Sequence, residues 1–274
     1  MSKKFTGKTV VDLLVFLFAI VNLFPLYWLF TSILKRSFDI TRIPPDWFPG
    51  NPTLDNIREV LFKTDCLQWI LNSLIVSVIG TGLVVIISAM AAYAFSKLDF
   101  PGSKILYPFF IGTLMIPKES YIVPLFRLMT RTGLSNTYSS MILPTVALPF
   151  GVFLLKSFFD NIPNAVRESA KIDGAKEFRI FTKIILPMAT PGIGALFILM
   201  FVRLWNDYLW QLLMGQSNAM KTLMVGVTSL MEEQRPDIGR KLTGAAISAV
   251  PMIVVYLAFQ KFFSRGISVG AVKE

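Results

Sequence analysis

The sequence is dominated by long stretches that carry no charge at all. Leu13 to Leu34 runs for 22 residues, Cys66 to Ser96 for 31, Thr132 to Leu155 for 24, and Ile184 to Val202 and Leu242 to Gln260 for 19 each. A helix of about 20 mostly apolar residues crosses the hydrocarbon layer of a bilayer. In lipid every backbone polar group must be satisfied within the chain, which favours helices. A sixth stretch, Ile105 to Met129, is apolar but interrupted by Pro117-Lys118-Glu119. The expectation is an all-α, polytopic membrane protein with six transmembrane helices over 10–34, 70–95, 105–129, 138–159, 191–214 and 242–263. Composition agrees: Asp, Glu, Lys and Arg make up 16% of the chain, against about 25% in a soluble domain.

Composition also excludes chemistries. The chain has no histidine and one cysteine, Cys66. Histidine-based metal sites, Ser-His-Asp triads and an intramolecular disulfide are therefore ruled out. The net charge of +10 would suggest nucleic acid in a soluble protein. Here the basic residues flank apolar runs, which points to membrane orientation and no nucleic acid. Six spans place both termini on one side. Lys and Arg number 14 in segments 1–9, 96–104, 156–190 and 261–274, against 11 in 35–68, 127–137 and 214–241. The bias predicts cytoplasmic termini. The first span is too long for a cleaved signal peptide and is expected to remain as an anchor. The 35–68 segment, with Pro44-Pro45, Pro49-Gly50 and Asn51-Pro52, reads as an irregular outer loop, with a short helix over Asp55 to Phe62.

The segment Lys156 to Thr190 is different in character: long, charged and amphipathic. Pro163 suits a helix start. Ala165, Val166, Ser169 and Ala170 form a small, weakly apolar stripe, and Gly174 suits a helix C-cap or tight turn. A second helix places Phe178, Phe181, Ile184 and Ile185 on an apolar face. Small side chains with charge suit insertion into a groove of another protein, although an ordinary amphipathic connector has the same pattern.

Glu168-Ser169-Ala170, three residues, Gly174, nine residues, then Ile184-x-Leu186-Pro187 resembles the EAA motif of ABC importer permeases, with Ser169 in place of a second alanine. Ile172-Asp173-Gly174-Ala175 is similar to the carbohydrate-uptake branch. Ala92-Tyr93-Ala94-Phe95-Ser96, Met115-Ile116-Pro117, Gly133 to Tyr138, Trp205 to Trp210 and the ending Arg265-Gly266-Ile267 with Gly270-Ala271-Val272-Lys273 extend the resemblance, the last toward the maltose-type second permease. Residues 1–65 share only a first span and a Pro-rich loop.

The resemblance implies one subunit of a permease pair in the bacterial inner membrane. Its partners would be a second permease subunit, two cytoplasmic ABC ATPase subunits carrying ATP and Mg, and an extracytoplasmic solute-binding protein that delivers a sugar. It divides the chain into 1–68, a transmembrane domain over 69–264 with the EAA loop at 160–190, and a tail over 265–274 that reaches the ATPase interface. The cytoplasmic coupling helix would dock on the ATPase through Glu168, Ser169, Ala170, Asp173, Gly174 and Ala175, with Ile184, Leu186 and Pro187 supporting the loop. The chain itself lacks a phosphate loop, since Pro117 stands where Gly112-x-x-x-x-Gly-Lys needs its second glycine. It is read as a transport subunit, not an enzyme, with no cofactor or metal of its own.

Ionisable residues within spans tend to face a bundle interior or water. Pro117, Lys118, Glu119, Arg203, Asn206, Asp207 and Trp210 are thus the candidates for a translocation path, with Arg203 and Asp207 spaced to pair on one helix face. An importer for glycerol phosphate or another small solute is the nearest alternative, since Lys118 and Arg203 suit an anion. An ion-coupled secondary transporter, with Glu119 and Asp207 as proton carriers, is a further one.

Overall fold

The computed structural model describes the backbone of residues 2–231 and 237–271, and the side chains of residues 9–230 and 237–260. The described residues form helices and connecting loops. The helices are α1 (Ser2–Ser32), α2 (Asp55–Lys63), α3 (Cys66–Lys97), α4 (Ser103–Gly112), α5 (Lys118–Arg131), α6 (Tyr138–Val146) and α7 (Pro149–Asp160). They continue with α8 (Asn164–Ile172), α9 (Glu177–Met188), α10 (Thr190–Trp205), α11 (Leu209–Met214), α12 (Leu223–Met231) and α13 (Ile238–Ala271).

Three segments are single helices long and apolar enough to cross a membrane: Thr9–Ser32 of α1, Cys66–Lys97, and Ile238–Gln260 of α13. The other three expected spans are not straight rods. Ser103–Met115 meets α5 at 96° and α6 meets α7 at 47° within the expected spans 105–129 and 138–159, while α9 meets α10 at 78° ahead of the expected span 191–214. Each bend has a local cause. Pro117 immediately precedes α5 and biases Ile116 toward extended backbone, where its φ is −84° and ψ 112°. Pro149 opens α7 and does the same to Leu148. Pro191 lies in the first turn of α10, just after the break at Ala189. The expected span 191–214 also divides: α10 ends at Trp205, and α11 starts afresh after Asn206 to Tyr208.

The chain divides into two compact units, Met1–Leu67 with Gly226–Val250, and Gln68–Val225 with Pro251–Glu274. In the first, the apolar side chains of α1 from Val10 to Leu26 are largely exposed, as expected of a helix that meets lipid or another subunit. The loop after α1 is anchored by aromatic contacts of Trp47 with Phe24 and Trp28 and by a hydrogen bond from Tyr27 Oη to the Trp47 carbonyl at 2.7 Å. The short helix expected at 55–62 is α2. Asp237 caps the start of α13 through the Gly239 and Arg240 amides and accepts a hydrogen bond from the Ser37 hydroxyl. These bonds tie the start of α13 to the segment after α1.

Apolar clusters pack within the second unit. Val84, Ala92 and Tyr93 of α3 pack with Leu155 and Phe159 of α7, Ile180, Phe181 and Ile185 of α9, and Leu196, Met200 and Leu204 of α10. Val76, Met129, Met141, Ile142, Trp210 and Met214 form another. Small residues set the close approach of α3 to α7: a Cβ at Gly151 would collide with Ser88 Oγ and lie 3.1 Å from Ser88 Cβ. Such small-residue contacts suit helix packing in lipid, where no hydrophobic drive distinguishes partner from solvent.

Candidate functional site

The segment between α7 and α10 folds as two helices joined by a tight turn. Pro163 sits at the N-cap of α8 with extended backbone, and the Val166 amide bonds to its carbonyl at 3.1 Å. At the other end the Gly174 amide bonds to the Lys171 carbonyl and the Ala175 amide to the Ala170 carbonyl, both at 3.0 Å. This is the Schellman closure of a helix, and it needs a left-handed residue at Gly174, whose φ is +78°. In α9 the Leu186 amide reaches back five residues to the Phe181 carbonyl, within a π-helical stretch Phe181–Ile185. The wider coil accommodates the Pro187 ring, which would otherwise press on the Lys183 carbonyl.

The structure divides the expected docking residues by orientation. Glu168, Ser169, Asp173 and Gly174 are exposed. Ala170 is 7% exposed and belongs to the apolar cluster, so it seats α8 on the rest of the chain and presents nothing outward. Ala175, Ile184 and Leu186 pack against the same cluster, and Pro187 is exposed. The stripe read from the sequence as Ala165, Val166, Ser169 and Ala170 is likewise split. Val166 and Ala170 face inward, while Ala165 and Ser169 face out. Phe178, expected on one apolar face with Phe181, Ile184 and Ile185, is instead 72% exposed, and the sequence reading passed over the exposed apolar side chain of Ile172, at 86%. The signal for Ile172 was available in helical spacing: it stands three and four residues after Ser169 and Glu168.

The sequence reading also missed Glu177. Its Oε1 lies 2.7 Å from Arg167 Nε and accepts a hydrogen bond from Tyr93 Oη; its Oε2 lies 3.2 Å from Arg167 Nη2 and 3.1 Å from Lys171 Nζ. Hydrogen bonding from the Arg167 guanidinium, with Tyr93 and Lys171 adding to it, holds the Glu177 carboxyl down at about 2 despite the opposing effect of burial. The loop is further fastened by Lys97 Nζ, which bonds to the Ile162 carbonyl at 2.5 Å and Asn164 Oδ1 at 3.0 Å.

A cavity lies elsewhere in the second unit. It is lined by Lys118, Tyr121, Thr145, Arg203, Asp207 and Trp210, with Pro144, Ala147, Leu148 and Pro149 completing a wall. Each of three helix interruptions contributes to it: Lys118 begins α5 after the 96° bend, Ala147 and Leu148 form the kink between α6 and α7, and Asp207 follows the end of α10. Irregular backbone at membrane depth is tolerated where it lines a cavity. Asp207 does not pair with Arg203, as its spacing had suggested. The helix has ended before Asp207, and the carboxylate Oδ2 meets Lys118 Nζ at 2.8 Å instead. Arg203 lines the same cavity and forms no ion pair among the described residues. Trp210 is 1% exposed, and its indole N–H bonds to the Ser140 carbonyl at 2.9 Å. Of the candidate path residues, Pro117, Glu119 and Asn206 do not line this cavity; the Asn206 amide bonds to the Val202 carbonyl. Tyr121 and Thr145 line it and were not foreseen.

The C-terminal ending singled out in the sequence lies largely outside the described residues: α13 continues to Ala271, and the side chains beyond Gln260 are not described.

Comparison with known proteins bears on the fold and the family. Residues 84–269 match the family of binding-protein-dependent transport system inner membrane components. The arabinooligosaccharides transport system permease protein AraQ of Halalkalibacterium halodurans is 33% identical over 93% of this chain and 92% of its own length. The trehalose transport system permease protein SugB of Mycobacterium tuberculosis is 34% identical over 99% of each chain. The lactose transport system permease protein LacG of Rhizobium radiobacter is 32% identical over 93% and 92%. Among solved structures, a bacterial ABC transporter involved in the import of the acidic polysaccharide alginate shares the fold, with a TM-score of 0.83 at 22% identity over 96% of this chain and 98% of that one. The chain belongs to the binding-protein-dependent transport system inner membrane components, the multi-pass membrane permease subunits of ABC importers.

Proposed function

We propose that this chain is the permease subunit that moves a sugar or oligosaccharide across the bacterial inner membrane by alternating access, driven by separate ATPase subunits. The observation that carries the coupling half of this reading is the outward face of α8 and its turn. Glu168, Ser169, Ile172 and Asp173 stand exposed on a helix whose opposite side is buried and whose end is locked by Gly174. A rigid, short helix with an exposed apolar tip and flanking carboxylates fits a cleft on a soluble partner, here the ABC ATPase that binds ATP and Mg. Residues 160–190 are therefore assigned as the coupling loop, on the cytoplasmic side with both termini. The sugar assignment draws on relatives whose names specify arabinooligosaccharides, trehalose and lactose. A second permease subunit and an extracytoplasmic solute-binding protein complete the assembly; one structural neighbour is described in complex with a pentasaccharide-bound periplasmic protein.

In this reading the six spans are the three long helices, the bent pairs Ser103–Met115 with α5 and α6 with α7, and α10 with α11. The cavity lined by Lys118, Tyr121, Arg203 and Asp207 is part of the path. ATP and loaded binding protein shift the equilibrium toward the outward-facing state through their differential affinity for it, and hydrolysis resets it. Arg203, without an ion pair among the described residues and beside the Lys118–Asp207 pair, favours a second reading, import of a solute that carries an anionic group.

The test is co-purification of the tagged complex in detergent beside a Gly174→Pro variant. Proline fixes φ near about −65°, whereas Gly174 stands at +78°, so the turn is lost while the spans are untouched. Wild type is expected to retain ATPase and second permease, and the variant to lose the ATPase alone. A wild-type chain that purifies alone and transports under an ion gradient overturns the reading in favour of a secondary transporter. Uptake of neutral against acidic oligosaccharides in proteoliposomes separates the two substrate readings.

A further inference from the structure

The Glu177 carboxylate joins three helices, two of them neighbours in sequence and the third 84 residues away. Tyr93 comes from the last turns of α3, Arg167 and Lys171 from one face of α8, and Glu177 itself from the first turn of α9. Oε1 takes the Tyr93 hydroxyl and Arg167 Nε; Oε2 takes Arg167 Nη2 and Lys171 Nζ. The Tyr93 ring is 5% exposed and is held between Phe159, centroid distance 6.4 Å, and Phe181, 5.0 Å. The tyrosine is therefore fixed by packing on one side and by a charge-assisted hydrogen bond on the other, the stronger kind of such bond.

We propose that Tyr93 and Glu177 are positioning residues that make α8 and the inner end of α3 one mechanical unit, so that displacement of the docked helix is passed to a membrane-spanning helix rather than absorbed in the turn. The inference rests on the coupling-loop reading above. It adds which bonds carry the displacement and to which span. Without them, α8 is held to the second unit by the small apolar contacts of Val166 and Ala170, by Lys97 at its N-terminal end, and by the chain at either end of the loop. Lys97 is the last residue of α3 and holds only the first turn of α8, so a helix so attached can pivot there and tilt at its far end without moving Tyr93 and the body of α3. With them, one carboxylate fixes α8 through two cations a turn apart, and the same carboxylate fixes α3.

The experiment uses the whole transporter in proteoliposomes with its binding protein and ATP. It measures ATP hydrolysed per sugar imported for wild type, Tyr93→Phe and Glu177→Gln. Tyr93→Phe removes one hydroxyl and keeps the ring packing; Glu177→Gln keeps the side-chain shape and removes the charge. Both variants are expected to retain the ATPase on purification. Their ATP consumption per sugar is expected to rise about three- to tenfold, the size of one modest hydrogen bond. An unchanged ratio in both variants overturns the proposal. Loss of the ATPase from the variants also overturns it, by assigning Glu177 to docking rather than transmission. If wild type itself carries no ATPase, the coupling-loop reading fails as well, and the two failures are distinct.

Discussion

Lys118 and Asp207, 89 residues apart, form a salt bridge of 2.8 Å across two helix interruptions. Lys118 begins α5 where Pro117 has turned the chain, and Asp207 stands just beyond the end of α10. The pair thus holds two broken helices together at the wall of the cavity, with side-chain exposures of 30% and 12%. Removing one partner leaves the other half-buried and uncompensated. Asp207→Ala is expected to destabilise the protein by about 1–3 kcal/mol, below the range for a fully buried pair because Lys118 is partly solvated. The double variant Lys118→Met with Asp207→Leu is expected to recover much of that loss. Thermal unfolding of the four members of this cycle in one detergent measures the coupling, and simple additivity would show that the pair contributes nothing.

Ile172 offers a separation of stability from docking. At 86% exposure it supports no core, so Ile172→Ser is expected to change stability by no more than about 0.5 kcal/mol. ATPase retention during purification is expected to fall several-fold, since the substitution removes the apolar tip of the exposed face. Equal retention at equal thermal midpoint would remove Ile172 from the docking surface.

The Glu177 network has a pH signature. Its carboxyl lies at about 2 in the fold against an ordinary value of 4.5. A carboxyl lowered by folding stabilises the native state fully above its unfolded value, and that contribution disappears as pH falls through the folded value. The difference in thermal midpoint between wild type and Glu177→Gln is therefore expected to be constant above about pH 5 and to shrink steadily below about pH 4.5. A difference that persists unchanged at the acid end would mean that the substituted amide perturbs packing rather than charge. Melting curves of both proteins across this range give the answer.

Much of the loop was legible because its determinants are local. Gly174 at the end of a short amphipathic run implies a left-handed helix terminus, and the motif spacing from Glu168 to Pro187 needs no distant contact to be read. The orientation of Ala170 was not legible in the same way. A small residue suits an outward groove or an inward contact equally, and only the packing of α8 on the cluster that holds Tyr93, Phe159 and Ile180 decides between them. Glu177 was passed over because its partners are ten, six and 84 residues away, and a lone carboxylate at a helix start has a sufficient local explanation in the helix dipole.

The apolar runs by themselves determined that this chain is a bundle of membrane helices, because lipid leaves the backbone no other economical way to satisfy its hydrogen bonds. Pro117 marked one interruption in the sequence itself, whereas the kink at Pro149 and the break before Pro191 emerged only in the structure. What only the tertiary structure decided is where the breaks meet. Arg203 and Asp207 are one helical turn apart in sequence, yet α10 ends between them, and the electrostatic partner of Asp207 comes from a different helix. Local spacing governs pairing only while the helix persists; once it stops, the nearest opposite charge in space governs, and that charge is Lys118.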